Sequence, residues 1–212
     1  MSYYEKIDGL AITIGDQRIR PHSRCFNCHG TGGVSQGKLT LASLKPGLTC
    51  EHCHAGADAH LQAMAGGKPG PAPRKPGEMA AEDMSSFCGE CHHTWEAVVR
   101  QRLFGHKNVR FQPYRLANSQ CFLGADQRIR CTACHDPHAD LVRGEASYDR
   151  ACLSCHGLKL DAGAAAVTRK VCPVADKNCV SCHMPKVQLP GAPAVFTDHK
   201  IRVVHAGDPY PQ

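Results

Sequence analysis

The chain has 212 residues and a formal net charge of +6, but its Lys and Arg are scattered, with no run of five, which argues against a nucleic-acid partner. Fourteen cysteines and fourteen histidines stand beside only six Phe, five Tyr and one Trp, too few aromatics for an ordinary apolar core, so something other than side chains must fill the interior. No stretch reaches the roughly 18 to 20 apolar residues of a membrane span.

The opening MSYYEKIDGLAITIGD lacks the apolar middle of a signal peptide, so a mature or truncated form is expected. His22 then precedes CFNCH, which holds Cys25, Cys28 and His29. CEHCH follows with Cys50, Cys53 and His54; His52 lies inside it and His60 six residues beyond it. GGKPGPAPRKPG, residues 66–77, cannot be helical and should run extended. It reads either as a linker between a part at 1–65 and a part at 78–212, or as a surface loop of one continuous domain.

CGECHH brings Cys88, Cys91 and His92, with His93 as an additional histidine. Trp95, Val98, Val99 and Leu103 then share the 3.6-residue spacing of one helical face, which predicts a helix over 93–104 starting at His93. His106 comes next, and CTACHDPH carries Cys131, Cys134, His135 and His138. Ser147 is expected to cap a short helix through CLSCH (Cys152, Cys155, His156) with Gly157 as its stop, and Asp161 to open a second, alanine-rich helix. CVSCH contributes Cys179, Cys182 and His183; the remainder, 186–212, is extended in character, holds His199 and His205, and is expected to wrap its own molecule or reach a neighbour.

Twelve cysteines thus fall into six Cys-x-x-Cys-His units. Each offers two thiols to a haem's vinyl groups and an adjacent imidazole to its iron. Zinc ribbons also use paired Cys-x-x-Cys units, but they need no His in the fifth position every time. Six chance occurrences have a probability on the order of 10⁻⁷, so covalent haem is the stronger reading. The units start at 25, 50, 88, 131, 152 and 179, an unequal spacing that excludes a solenoid. Six haems in so short a chain leave about 35 residues each, too few for separate pockets. The predicted fold class is therefore mostly irregular and α: short helices and long loops around a packed array of six haems, with few or no strands.

On these units, and on NVRFQPYRLANSQCF (108–122), CTACHDPH (131–138), NCVSCHMPK (178–186) and FTDHKIRVV (196–204), the chain resembles exported bacterial multihaem c-type cytochromes. The CHMP and FTDH elements are also similar to the C-terminal part of pentahaem nitrite reductases. The resemblance implies six covalently attached haem c groups, export to the periplasm or beyond the cell, and electron exchange with other redox proteins or extracellular acceptors. It also implies distal iron ligands at His138 and His199, and by similar arrangements in other multihaem cytochromes at His60 and His93. The His93 ring cannot reach the far face of the haem held by His92, because adjacent Cα atoms are only about 3.8 Å apart; it must serve another.

Eight histidines lie outside the six proximal ones, enough for every iron to be bis-histidine, with methionine ligation by Met64, Met79, Met84 or Met184 not required. His22 completes the distal set with His205, for whose place His106 competes; His52 is the least suited. Cys121 and Cys172 are left over, and an oxidising compartment would pair them as a disulfide, free buried thiols being the alternative. Saturated irons favour electron transfer over catalysis. Haem propionates bring the molecule near neutrality, which favours end-to-end homopolymers, a filament with haem edges in contact. Two other classes stay open: a reductase with one unsaturated haem, for which Lys186 is no substitute for the Cys-x-x-Cys-Lys lysine of nitrite reductases, and a redox-storage module.

Overall fold

The computed structural model describes residues 7–8, 11–14, 17–19, 23–122, 126–157, 172–192, 194–205 and 207–208. The chain forms two compact units, Met1–Glu78 and Met79–Gln212. Both consist mainly of short helices and irregular chain, with strands of two to four residues, in accord with the predicted class. The Asp161 helix and His22 fall outside the described residues.

In the first unit, β1 (Ile7–Asp8), β2 (Ala11–Ile14) and β3 (Gln17–Ile19) make an antiparallel meander. α1 (Ser23–His29) runs straight into β4 (Gly30–Thr31); β5 (Val34–Ser35) and β6 (Lys38–Leu39) form a hairpin, and β7 (Lys45–Pro46) returns antiparallel to β4. The return is tight: Gly33 has φ +73°, and a Cβ there would lie 2.6 Å from the Leu44 Cβ, so a side chain is excluded twice over. Buried Thr31 joins the two ends of this excursion, its hydroxyl donating to the Gly47 carbonyl at 2.9 Å and accepting from the Thr49 N–H at 2.8 Å. Thr49 opens α2 (Cys50–Cys53), and Gly56, at φ 90°, opens α3 (Ala57–Ala65). After the turn at Gly66 and Gly67, residues 69–75 have no regular structure and fold back on the unit. Gly70 packs where a Cβ would meet the Ala63 Cβ at 2.7 Å, and the Arg74 N–H donates to the Ala55 carbonyl at 3.0 Å.

The second unit starts with α4 (Ala81–His92), whose first N–H is capped by the Gln127 side chain at 2.8 Å. α5 spans only Trp95–Arg100, not the predicted 93–104. The Thr94 hydroxyl accepts the Ala97 N–H at 3.0 Å and so captures the N-cap. Downstream, Arg102 (φ 53°) and Gly105 (φ 87°) turn the chain away. Of the predicted apolar face only Val98 is buried, while Trp95 is 53% exposed. A 3₁₀ turn at His106–Arg110 leads to α6 (Gln112–Ala117), begun by Pro113 as helices favour.

Cys131–Ala133 is a 3₁₀ turn. A second such turn, Glu145–Tyr148, contains Ser147 and continues into α7 (Asp149–His156), so Ser147 lies inside the helical run and provides no cap. Gly157 does close α7, its N–H reaching the Leu153 carbonyl. Asp149 holds the start of α8 (Cys179–His183): its two carboxylate oxygens accept the N–H groups of Asn178 at 2.7 Å and Cys179 at 2.9 Å. β8 (Lys186–Gln188) and β9 (Val195–Thr197) pair antiparallel. The strand-like chain beyond them lies back along α8, with Arg202 N–H on the His183 carbonyl and Val204 N–H on Cys182. This tail wraps its own molecule.

Buried apolar side chains are few among the described residues: Phe26 in the first unit and Ala81, Met84, Val98, Val109, Phe111, Val180 and Leu189 in the second. The centre of the second unit is instead polar. Arg115, 1% exposed, makes a bidentate pair with the fully buried Asp198 at 2.7 and 2.8 Å, and Arg202 adds a third bond to the same carboxylate at 2.7 Å. Replacing Arg115 with Ala leaves that carboxylate short of its main partner, so a loss of about 3–5 kcal/mol is expected in denaturant unfolding; a loss below about 1 kcal/mol would contradict a structural role for the pair.

Candidate functional site

All six Cys-x-x-Cys-His units fall on helical turns: α1, α2, the ends of α4 and α7, the 3₁₀ turn at Cys131–Ala133, and α8. Residues i, i+3 and i+4 share a helix face, so one turn presents both thiols and the imidazole together. His29, His92, His156 and His183 each end their helix, and His54 is the C-cap of α2.

Two proximal rings are already aimed. The His54 Nδ1 lies 2.9 Å from the Arg74 carbonyl, and the His183 Nδ1 lies 3.0 Å from the Arg202 carbonyl. Such a bond places the proton on Nδ1 and leaves the Nε2 lone pair for a metal, the arrangement that orients ligating imidazoles. Arg74 reinforces its carbonyl with side-chain bonds to the Cys53 and His52 carbonyls, both at 3.0 Å. Arg202 lies within the FTDHKIRVV element but nothing local assigns it this part, and Arg74 stands in the Pro/Gly-rich segment; each arrives from about twenty residues away.

The second unit gathers its motif thiols. Cys88 and Cys131 lie close enough to shift each other, the Cys131 thiol downward and the Cys88 thiol upward, with burial adding to the rise at Cys88. The Cys134 thiol is raised, first by burial and then by Cys121 and Cys155. Burial, Asp149 and neighbouring Cys152 push Cys179 up to about 12. In this unit the third motif's helix packs against the turn of the fourth, and the helix of the fifth against that of the sixth. Asp149 itself is held below the usual carboxylate range by the backbone N–H groups of Cys179 and Asn178.

The candidate distal histidines divide into a clustered group and an outlying one. His199 is aimed like a ligand, its Nδ1 3.0 Å from the Thr197 carbonyl, and its ring centre is 6.1 Å from that of His135. Burial is the first cause that lowers its pKa to about 4, with His135 and His92 adding to it, so the ring is neutral at pH 7, the state that binds iron. Burial followed by His92 likewise lowers His135. His93 does not start α5; it follows α4 with φ 60° and ψ 118°, and its ring stacks on buried Phe111 at 4.5 Å. This reversal depends on Gly89, where a Cβ would strike the Thr94 Cγ2 at 2.3 Å. His93 thus departs from the His92 direction, and burial, Arg110 and His92 lower its pKa.

His60, on α3, is half-buried, and its Nδ1 is buried without a hydrogen-bond partner, unlike the carbonyl-tied Nδ1 of His54, His183 and His199. The outlying group comprises His106, His138 and His205, all exposed, with the His138 Nδ1 3.6 Å from Asp136. His52, half-buried, faces a cavity shared with Lys45, Glu51 and Asp58. Cys121 is half-buried and Cys172 exposed, its thiol lowered by the N–H groups of Val174 and Ala175; no disulfide joins them in the structure. The Nδ1–carbonyl bonds and the neutral rings fit haem iron, with the Cys-x-x-Cys pairs as the covalent anchors.

Residues 5–55 match the family model described as cytochrome c554 and c-prime, a span that includes the first two attachment units. No curated protein and no solved structure matches the chain. The match supports a c-type cytochrome, a carrier of electrons on covalently attached haem c. Among the described residues no helix is long and apolar enough to cross a membrane.

One prediction concerns Asp149. A carboxyl whose folded pKa is depressed stabilises the fold above its ordinary value of 3.8 and loses that effect as pH falls through the lower, folded value. Asp149→Asn should therefore be less stable than the native chain at pH 7, and the difference should vanish in acid, as followed by unfolding from pH 7 to 2. A difference independent of pH would mean that the carboxylate charge plays no part.

Proposed function

We propose that the protein is a hexahaem c-type cytochrome, exported to the periplasm or the cell exterior, that carries single electrons by hopping along closely spaced bis-histidine haems. The observation that carries this reading is the packing of attachment turns in residues 79–212, with α4 against the turn at Cys131–Ala133 and α7 against α8. Thioether anchors held that close keep successive porphyrin edges near contact. Haem c, when bound, supplies the one-electron ferric–ferrous couple and, without axial Met, a low range of potentials.

The polypeptide's part is positional. Cysteines fix each edge, carbonyls of Arg74, Arg202 and Thr197 fix imidazole orientation, and the Asp149 bonds keep the fifth and sixth motifs together. The ligand supply suits each unit taken by itself. The first has two motifs with His22, His52 and His60 as candidates, and the second has four motifs with His93, His106, His138, His199 and His205. Saturation of every iron leaves no place for a substrate, so the protein acts as a carrier between other redox proteins or extracellular acceptors, not as a reductase. End-to-end association of copies would continue the same path.

Intact mass of the protein matured with haem should show six added haems, and ferric paramagnetic resonance only low-spin iron. Fewer haems, or bound zinc in their place, would overturn the hexahaem reading, while a high-spin signal in the native protein would favour the reductase. His93→Ala should retain all six haems and convert one iron to high spin; a fully low-spin spectrum would make His93 only a stacking partner of Phe111.

A further inference from the structure

We infer that His135 and His199 are the two axial ligands of one iron, that of the haem anchored at Cys131 and Cys134. The inference rests on the multihaem reading above and goes beyond it by naming which iron His199 serves. Its basis is distance. Two metal–imidazole bonds of about 2 Å, each with its ring centre roughly 1 Å behind the nitrogen, put trans rings about 6 Å apart. The observed centres are 6.1 Å apart with the planes at 35°. By contrast, the His93 and Phe111 rings, which simply stack, are 4.5 Å apart.

The groups that hold the two rings agree with this distance. His135 is the proximal ligand by its place in CTACH, and the Tyr148 ring meets it edge-on with centres 5.5 Å apart. His199 has Nδ1 tied to the Thr197 carbonyl, so Nε2 is the nitrogen left for iron. The backbone carrying His199 is held on both sides. Ser119 donates its hydroxyl to the His199 carbonyl at 3.1 Å and accepts the Ile201 N–H at 2.8 Å, while Asp198 is locked by Arg115 and Arg202. A residue in the distant tail is thus fixed opposite a motif 64 positions earlier.

The test uses the full-length, haem-loaded chain. His199→Ala should keep six haems by mass and convert one iron from low to high spin. In a background that lacks this haem, made with Cys131→Ser and Cys134→Ser, the same substitution should convert no further iron. A new high-spin iron in that five-haem background, or an unchanged low-spin spectrum in the six-haem chain, would overturn the pairing and leave the two rings as an ordinary aromatic contact.

Should the five-haem chain fail to fold, His199→Met gives an independent answer. Nuclear magnetic resonance should find the axial methionine's shifted methyl on the haem whose proximal side contacts Tyr148, and placement on any other haem would overturn the inference. A haem count below six would refute the hexahaem reading without touching this pairing, provided the haem at Cys131 is attached. A low-spin His199→Ala protein with six haems would do the reverse.

Discussion

Six times along this chain, one helical turn must present two thiols and an imidazole on the same side, and the rest of the structure answers to that requirement. It explains why the helices are short and why they end where they do. Each of these helices ends at the histidine of its unit, His29, His92, His156 or His183, and the chain then turns away. It also explains the meagre apolar core. Phe26 is the one buried apolar side chain described in the first unit, and residues such as Leu61 and Met64 remain largely exposed in the polypeptide itself.

With little apolar burial to draw on, cohesion falls to hydrogen bonds between distant segments. Thr31 ties the strand after the first motif to the start of the second, Arg74 returns to brace His54, and Asp149 grips the helix of the sixth motif. In the second unit the Arg115–Asp198–Arg202 cluster plays the part that aliphatic packing plays elsewhere. Buried ion pairs of this kind contribute little net stability over an apolar replacement, but they admit only one geometry. That suits a protein whose function depends on ring orientation.

The apolar spacing of Trp95, Val98, Val99 and Leu103 was real, but it did not decide where the helix began, because Thr94 offers the N-cap a hydroxyl that His93 does not. Nor did it decide what was buried: in a chain built to hold large flat groups, Trp95 can lie open in the polypeptide. The backbone of His93, at φ 60°, is a conformation a non-glycine residue adopts only when its surroundings compel it, here through the contact of Thr94 with Gly89. No periodicity could have announced that. Ser147 looked like a cap for the same local reason, yet a 3₁₀ turn runs through it into α7.

The amino-acid sequence by itself laid out the chemistry: six Cys-x-x-Cys-His units and eight further histidines are legible as short residue patterns, because two thiols and an imidazole at that spacing share one helical turn. The small number of aromatic residues and the close succession of the six units likewise pointed to the fold class. Only the tertiary structure decided which motifs adjoin, that Arg74 and Arg202 aim His54 and His183, and that His199 stands opposite His135. Those relations join residues from about 20 to more than 60 positions apart, and no short-range pattern encodes them, since they arise from how loops close and which buried charges must meet.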